Sequence, residues 1–191
     1  SNKDNSTNNK KALDNYYSSE ETPEYTHSFL LSAVVSSDYV DRTNNGPSID
    51  DLGKYTKFNY TRIHQNYKWR SPFAKDSASF NEGIRSSKGT SGDDKANYVY
   101  GEKEVWLLHS IETKNYVAIF ELEDRLDGYG VTDENGGLET TAKSKRLKEI
   151  RLFTRQELLD KQANAVPIKV VHFEYDYSLC KDVENNINYG T

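Results

Sequence analysis

Oxygen-bearing side chains recur at alternate positions in one stretch of this chain. Asp41, Thr43 and Asn45 stand two residues apart and Gly46 follows, the spacing of the first half of a calcium loop. Leu52 occupies the place of the bidentate Glu that would close such a loop. Asp38, Asp50 and Asp51 are the acids left to complete the shell. Calcium is therefore the candidate cofactor, weighed against an acidic, turn-rich surface loop held by Asx hydrogen bonds. Asp124, Asp127, Asp133 and Asn135 form a second, sparser set of oxygen ligands.

Flat rings offer another chemistry. Tyr55, Tyr67 and Trp69, with Tyr60 beside them, would stack on a sugar or an extended peptide if they stood on an exposed sheet; otherwise they are ordinary cross-strand packing. Glu121 and Glu123 are the carboxylate pair that a glycoside hydrolase would need as acid and base. On a strand they share one face, where alternating charge usually marks the wet side. His172 and Cys180 are the residue types of a thiol protease, without a nucleophile signature around the cysteine. His109-Ser110 lacks the G-x-S-x-G elbow, and His27, His64, His109 and His172 lack metal-ligand spacing. No set of residues converges on a reaction, so the catalytic assignment is none.

Any of these groups would have to be positioned by strands. The phrase L-x-x-I/V occurs three times, at Leu31–Val34, Leu108–Ile111 and Leu147–Ile150. Each is answered downstream by an aromatic phrase, at Phe58–Tyr60, Phe120–Leu122 and Phe173–Tyr175. A run that recurs with its own partner run reads as a repeated two-stranded unit. Strands are expected over 29–36, 54–63, 66–70, 104–112, 116–123, 146–153 and 168–177, the last with a clean period of two. Thr154 and Glu157 have capping-box spacing before Leu158 and Leu159, which predicts one short helix near 155–162. The expected fold is all-β: an antiparallel sheet or sandwich built from about three elaborated β-hairpins.

The L-x-x-I/V spacing poses a geometric problem. Residues three apart on a regular strand face opposite sides. Either both faces of the sheet are partly covered or a bulge shifts the phase; for Val105, Leu107 and Ile111 against Trp106 and Leu108, coverage of both faces is the expectation.

The rest of the chain is polar. Only 35% of the 191 residues are hydrophobic while 29% are charged, so long polar segments must dilute the core. Residues 1–28 read as a flexible leader, 29–180 as one β-rich domain and 181–191 as a tail. Long loops are expected at 37–53, 71–97 and 124–144, where Gly, Asn, Asp and Ser cluster. A formal charge of -5 argues against a nucleic-acid partner, and no apolar run is long enough to span a bilayer. Without methionine, the chain reads as an excised or processed piece of something larger.

Leu147–Ile150, a variable insertion and then Val171–Ser178 resemble the β-rich region of bacterial RHS/YD-repeat proteins; the middle unit, Leu107–Arg125, is similar. The rhythm extends over roughly 29–178, with Tyr175-Asp176 the single fragment of a tyrosine–aspartate repeat. The resemblance implies a large secreted or surface-displayed bacterial protein, in which successive hairpins wind into a sheet or shell that encloses or presents a toxin domain. The expected role is a non-enzymatic structural or interaction module of such a protein. Its partners would be other domains of the same protein, another surface protein or a glycan. A carbohydrate- or peptide-binding β-sandwich and a glycoside hydrolase are the alternatives.

Overall fold

The computed structural model describes residues 20–80 and 96–179. The strands are β1 (Ala33–Val35), β2 (Tyr55–Ser71), β3 (Ser79–Phe80), β4 (Ala96–Asn97), β5 (Val99–Glu112), β6 (Tyr116–Asp133), β7 (Gly136–Thr154) and β8 (Lys169–His172). Six of them form one antiparallel sheet in the order β1-β2-β5-β6-β7-β8, and β3 pairs with β4 separately. The three expected hairpins are its neighbouring pairs β1/β2, β5/β6 and β7/β8. One short helix, α1 (Arg155–Lys161), follows β7. Among the described residues no helix is long and apolar enough to cross a membrane.

Thr154 caps α1 as the sequence predicts, its hydroxyl accepting the Glu157 N–H at 3.2 Å. The return half of the capping box is diverted. The Glu157 carboxylate accepts the Val166 N–H at 3.0 Å and pairs with Lys161, tying the helix to the chain that leads into β8.

The strands differ from expectation in length. The runs 54–63 and 66–70 are one strand, continuous through bulges between Arg62 and Tyr67. The first expected strand shrinks to Ala33–Val35 and the last stops at His172. The loop expected at 124–144 is a correction of a different order, because it lies almost entirely within β6 and β7 and turns only at Glu134-Asn135. Gly130 signals close backbone approach instead of a loop, and Gly136, at φ +83° beside the turn, serves both. A Cβ on Gly130 would sit 3.0 Å from the Lys68 carbonyl oxygen, and one on Gly136 would sit 2.7 Å from that of Ala74. Residues 37–54 are irregular apart from the Val40–Leu52 bridge, as expected of a loop. Of the loop expected at 71–97, residues 81–95 lie outside the described residues.

A bulge resolves the L-x-x-I/V problem. Asn59 stands opposite Ser110 but Tyr60 stands opposite Leu108, leaving His109 as the extra residue. Glu121 stands opposite Glu149 but Leu122 stands opposite Leu147, leaving Lys148 extra. One additional residue restores Leu and Ile to a common phase against the partner strand, where an unbroken strand would have placed them on opposite faces.

The sheet is held unevenly. The β2/β5 and β6/β7 ladders are long, whereas β5 and β6 pair only over Ser110–Glu112 and Val117–Ile119. The molecule is thus two long ribbons joined at one end and parting beside the His109 bulge. Their far ends meet again through side chains. Tyr67 donates from its hydroxyl to the Gly128 carbonyl at 3.3 Å and accepts from Ser144 at 3.2 Å. His64 Nε2 lies 2.7 Å from the Lys143 carbonyl, and Arg70 Nε donates to that of Glu134 at 2.7 Å. The buried apolar side chains among the described residues are Tyr55, Tyr67, Val117, Val131 and Phe153, a small core for so much sheet.

Candidate interaction surface

The acidic loop between β1 and β2 is organised by its own backbone. Asp41 accepts the N–H groups of Thr43 and Gly46 at 3.1 and 2.9 Å, an Asx arrangement. Asp51 is buried and accepts from the Tyr39 hydroxyl, the Arg42 N–H and the Ser48 N–H, at 2.8, 3.0 and 2.9 Å. Burial pushes the Asp51 carboxyl up, but these donors outweigh it and hold the group below its ordinary range. Burial, together with the same contact, pushes the Tyr39 hydroxyl up to about 12. Asp38 accepts from Ser36. No group of three or more His, Cys, Asp or Glu among the described residues is gathered as a metal ion would require. The second oxygen set is divided in the same way. Asp124 pairs with Lys145, Asp127 with Arg125, and Asp133 accepts the Asn135 N–H.

The aromatic trio does not form a platform. Tyr55 and Tyr67 are buried, which removes two of its three rings from any ligand in solution. Trp69 is partly exposed, but it stands directly opposite Gly101 and lies over it; a Cβ there would come within 2.7 Å of the indole nitrogen. The ring fills the space that the glycine leaves on the neighbouring strand. Tyr60 donates its hydroxyl to the Leu31 carbonyl at 3.1 Å.

The carboxylates pair differently from the sequence reading. Glu121 lies directly across from Glu149, and Glu149 from His172, in one row over β6, β7 and β8. Arg151 binds both acids, 3.1 Å from Glu121 and at shorter range to Glu149, and His172 Nδ1 lies 2.8 Å from the other Glu149 oxygen. Burial pushes Glu149 up, and its Arg151 hydrogen bond leads the contacts that bring it below the usual range. Glu123 is held by Arg146, whose guanidinium also stacks on Tyr175 and Tyr177, 4.7 and 5.2 Å from their ring centres. These contacts fasten the segment beyond β8 to β7. Sequence reasoning missed Glu149 because it sits inside a repeated phrase that was read only for its apolar residues. Cys180 lies outside the described residues.

Where the ribbons part, an open cleft of about 400 Å3 is lined by Thr61, Ile63, Leu107, Leu108, Phe120 and Leu122, with His109 and Glu121 at its sides. A second set of apolar side chains lies exposed along the two outer strands. Phe29, Leu30, Leu31, Val34 and Val35 are exposed around β1, and Val171, Phe173 and Tyr175 around β8. From Thr26 to Ser37 there is no Lys, Arg, Asp or Glu, so the β1 edge lacks the charged residues that usually block strand addition. Comparison with protein-family models, with curated proteins and with solved structures gives no match.

Proposed function

We propose that this chain is a non-enzymatic structural and interaction module, one layer of a larger β scaffold on a secreted or surface-displayed bacterial protein. The exposed apolar strand edges carry this reading: β1 and β8 end the sheet with large hydrophobic side chains in solvent beside a very small core. Sheets of this kind gain stability when a further strand or layer covers them, and edge strands are the usual sites of such addition. The pairing of Glu121 and Glu149 with one arginine also favours a scaffold, since a hydrolase needs one carboxylic acid that can give up its proton beside a free base. The RHS-like rhythm supplies the surface-displayed setting.

Two measurements test the reading. Antibody against the chain is expected to label intact cells that make the parent protein; labelling only after lysis removes the surface assignment. Incubation with polysaccharide and peptide panels is expected to give no turnover, and hydrolysis of any of them overturns the scaffold role.

A further inference from the structure

We propose that the two outer edges of this sheet are complementary halves of one seam, and that a second copy of the chain supplies the missing half. This names the partner for the scaffold role above and rests on that reading.

Two seams between hairpins are formed, and both follow one rule. In β2/β5, Phe58 stands opposite Ile111 and Tyr60 opposite Leu108. In β6/β7, Phe120 stands opposite Ile150 and Leu122 opposite Leu147. Each seam has a register shift between its two pairs, which absorbs the extra residue of the leucine phrase. The aromatic phrase of one hairpin therefore reads the L-x-x-I/V phrase of the next hairpin, not of its own. All of these seam side chains are half-buried.

Two phrases are left unread. Leu31–Val34 runs into the outer strand β1, and Phe173–Tyr175 continues from the outer strand β8; among the described residues no further strand lies beyond either. Leu31, Val34, Phe173 and Tyr175 are 54%, 54%, 38% and 44% exposed, unlike every member of the two formed seams. The outer strands stop short of expectation before Ala33, which leaves out Leu31 and Ser32 of the first phrase, and after His172, which leaves out all of the second.

The third aromatic phrase is held as the first is. Phe58 N–H donates to the Ser32 carbonyl and Phe173 N–H to the Lys148 carbonyl, in each case the second residue of that hairpin's own leucine phrase. Tyr60 and Tyr175 donate their hydroxyls to Leu31 and Leu147, in each case that phrase's leucine. Phe173-Glu174-Tyr175 is thus presented as Phe58-Asn59-Tyr60 is, without the strand that reads it. Leu31–Val34 of a second copy fits, with Phe173 opposite Val34 and Tyr175 opposite Leu31. Strand direction alternates across all six positions, so β1 of the next copy continues the alternation after β8. The charge-free β1 edge also brings no like charge to Glu174 and Asp176. Joining two different surfaces makes the contact heterologous, so it grows head to tail.

Sedimentation and light scattering of the full chain over a wide concentration range are expected to give masses rising in steps of 21.9 kDa. Val34→Lys blocks the head and Phe173→Lys blocks the tail, so each variant alone is expected to be a monomer. Their equimolar mixture is expected to stop at a dimer, because each retains the half that the other lacks. Both side chains are exposed, and unchanged melting curves identify folded variants. Hydrogen exchange at Ala33–Val35 reads the same contact without substitution, slowing as wild-type concentration rises. A wild type that is monomeric throughout, with concentration-independent exchange there, overturns the self-pairing. So does a Phe173→Lys variant that assembles as wild type does, since that indicates β1 pairing with itself. Either result leaves the scaffold role standing, whereas substrate turnover removes that role whatever the mass.

Discussion

Replacing Arg70 by Met keeps an unbranched apolar stem and deletes the guanidinium that closes the far ends of the two ribbons. Arg70 is buried at the end of β2. Its Nε donates to the Glu134 carbonyl at 2.7 Å, Nη1 to that of Pro72 at 2.6 Å and Nη2 to that of Ser77 at 2.6 Å; its Cζ lies 4.5 Å from the Tyr98 ring centre. A hydrogen bond from a charged donor is worth about 1.5–3 kcal/mol net, and three from one anchor add less than their sum. Removing a buried charge returns part of the loss. The expected net destabilisation is about 3–4 kcal/mol. With a urea slope of about 2 kcal/mol/M, the unfolding midpoint falls by about 1.5–2 M. Arg70→Lys, which keeps the charge without the planar fork, is expected to lie between the two. Urea titration followed by tryptophan emission measures all three proteins. A Met variant within about 1 kcal/mol of wild type would refute the idea that this fork closes the ribbons.

Acid should weaken the fold in a defined direction. Asp51, Glu102 and Asp127 all titrate below their ordinary values of 3.8 and 4.5, so the unfolded chain binds more protons between the two states' pKa values. Their stabilisation is present above that window and is lost as pH falls through it; the melting temperature should decline below about pH 5, and less steeply for Asp51→Asn. Gly101→Ala should displace the Trp69 ring, destabilise the chain by about 1 kcal/mol or more and red-shift its emission, while an unchanged spectrum would contradict the packing described. A chelator should leave the melting temperature where it is, because the Asp41 and Asp51 oxygens already accept N–H and O–H groups. A fall on chelation would instead assign a bound cation to this loop.

Strand identity was legible wherever apolar residues alternated, and so was the cap of α1, because both depend on local patterns. The repeated phrases correctly announced three hairpins. They did not reveal which phrase faces which, since that depends on register across strands far apart in sequence. Their spacing did hold a clue: an offset of three between the apolar residues of one phrase, set against an offset of two in the other, requires a bulge. The hairpin at 124–144 was misread because Gly128, Gly130 and Gly136 have the composition of a turn. Gly130 and Gly136 instead admit the close passage of β2 and the segment after it, and Gly128 the Ser144 side chain of the partner strand, which no local pattern records. The sequence left Tyr55 and Tyr67 open between a platform and ordinary cross-strand packing for a similar reason, as their burial is a tertiary fact.

Between the paired phrases of both seams the extra residue falls on the leucine side, at His109 and at Lys148. A neighbour displaced by one position would meet that kink out of step and turn its apolar side chains the wrong way. The joint therefore works as a key, fixing which hairpin comes next and how far along it sits.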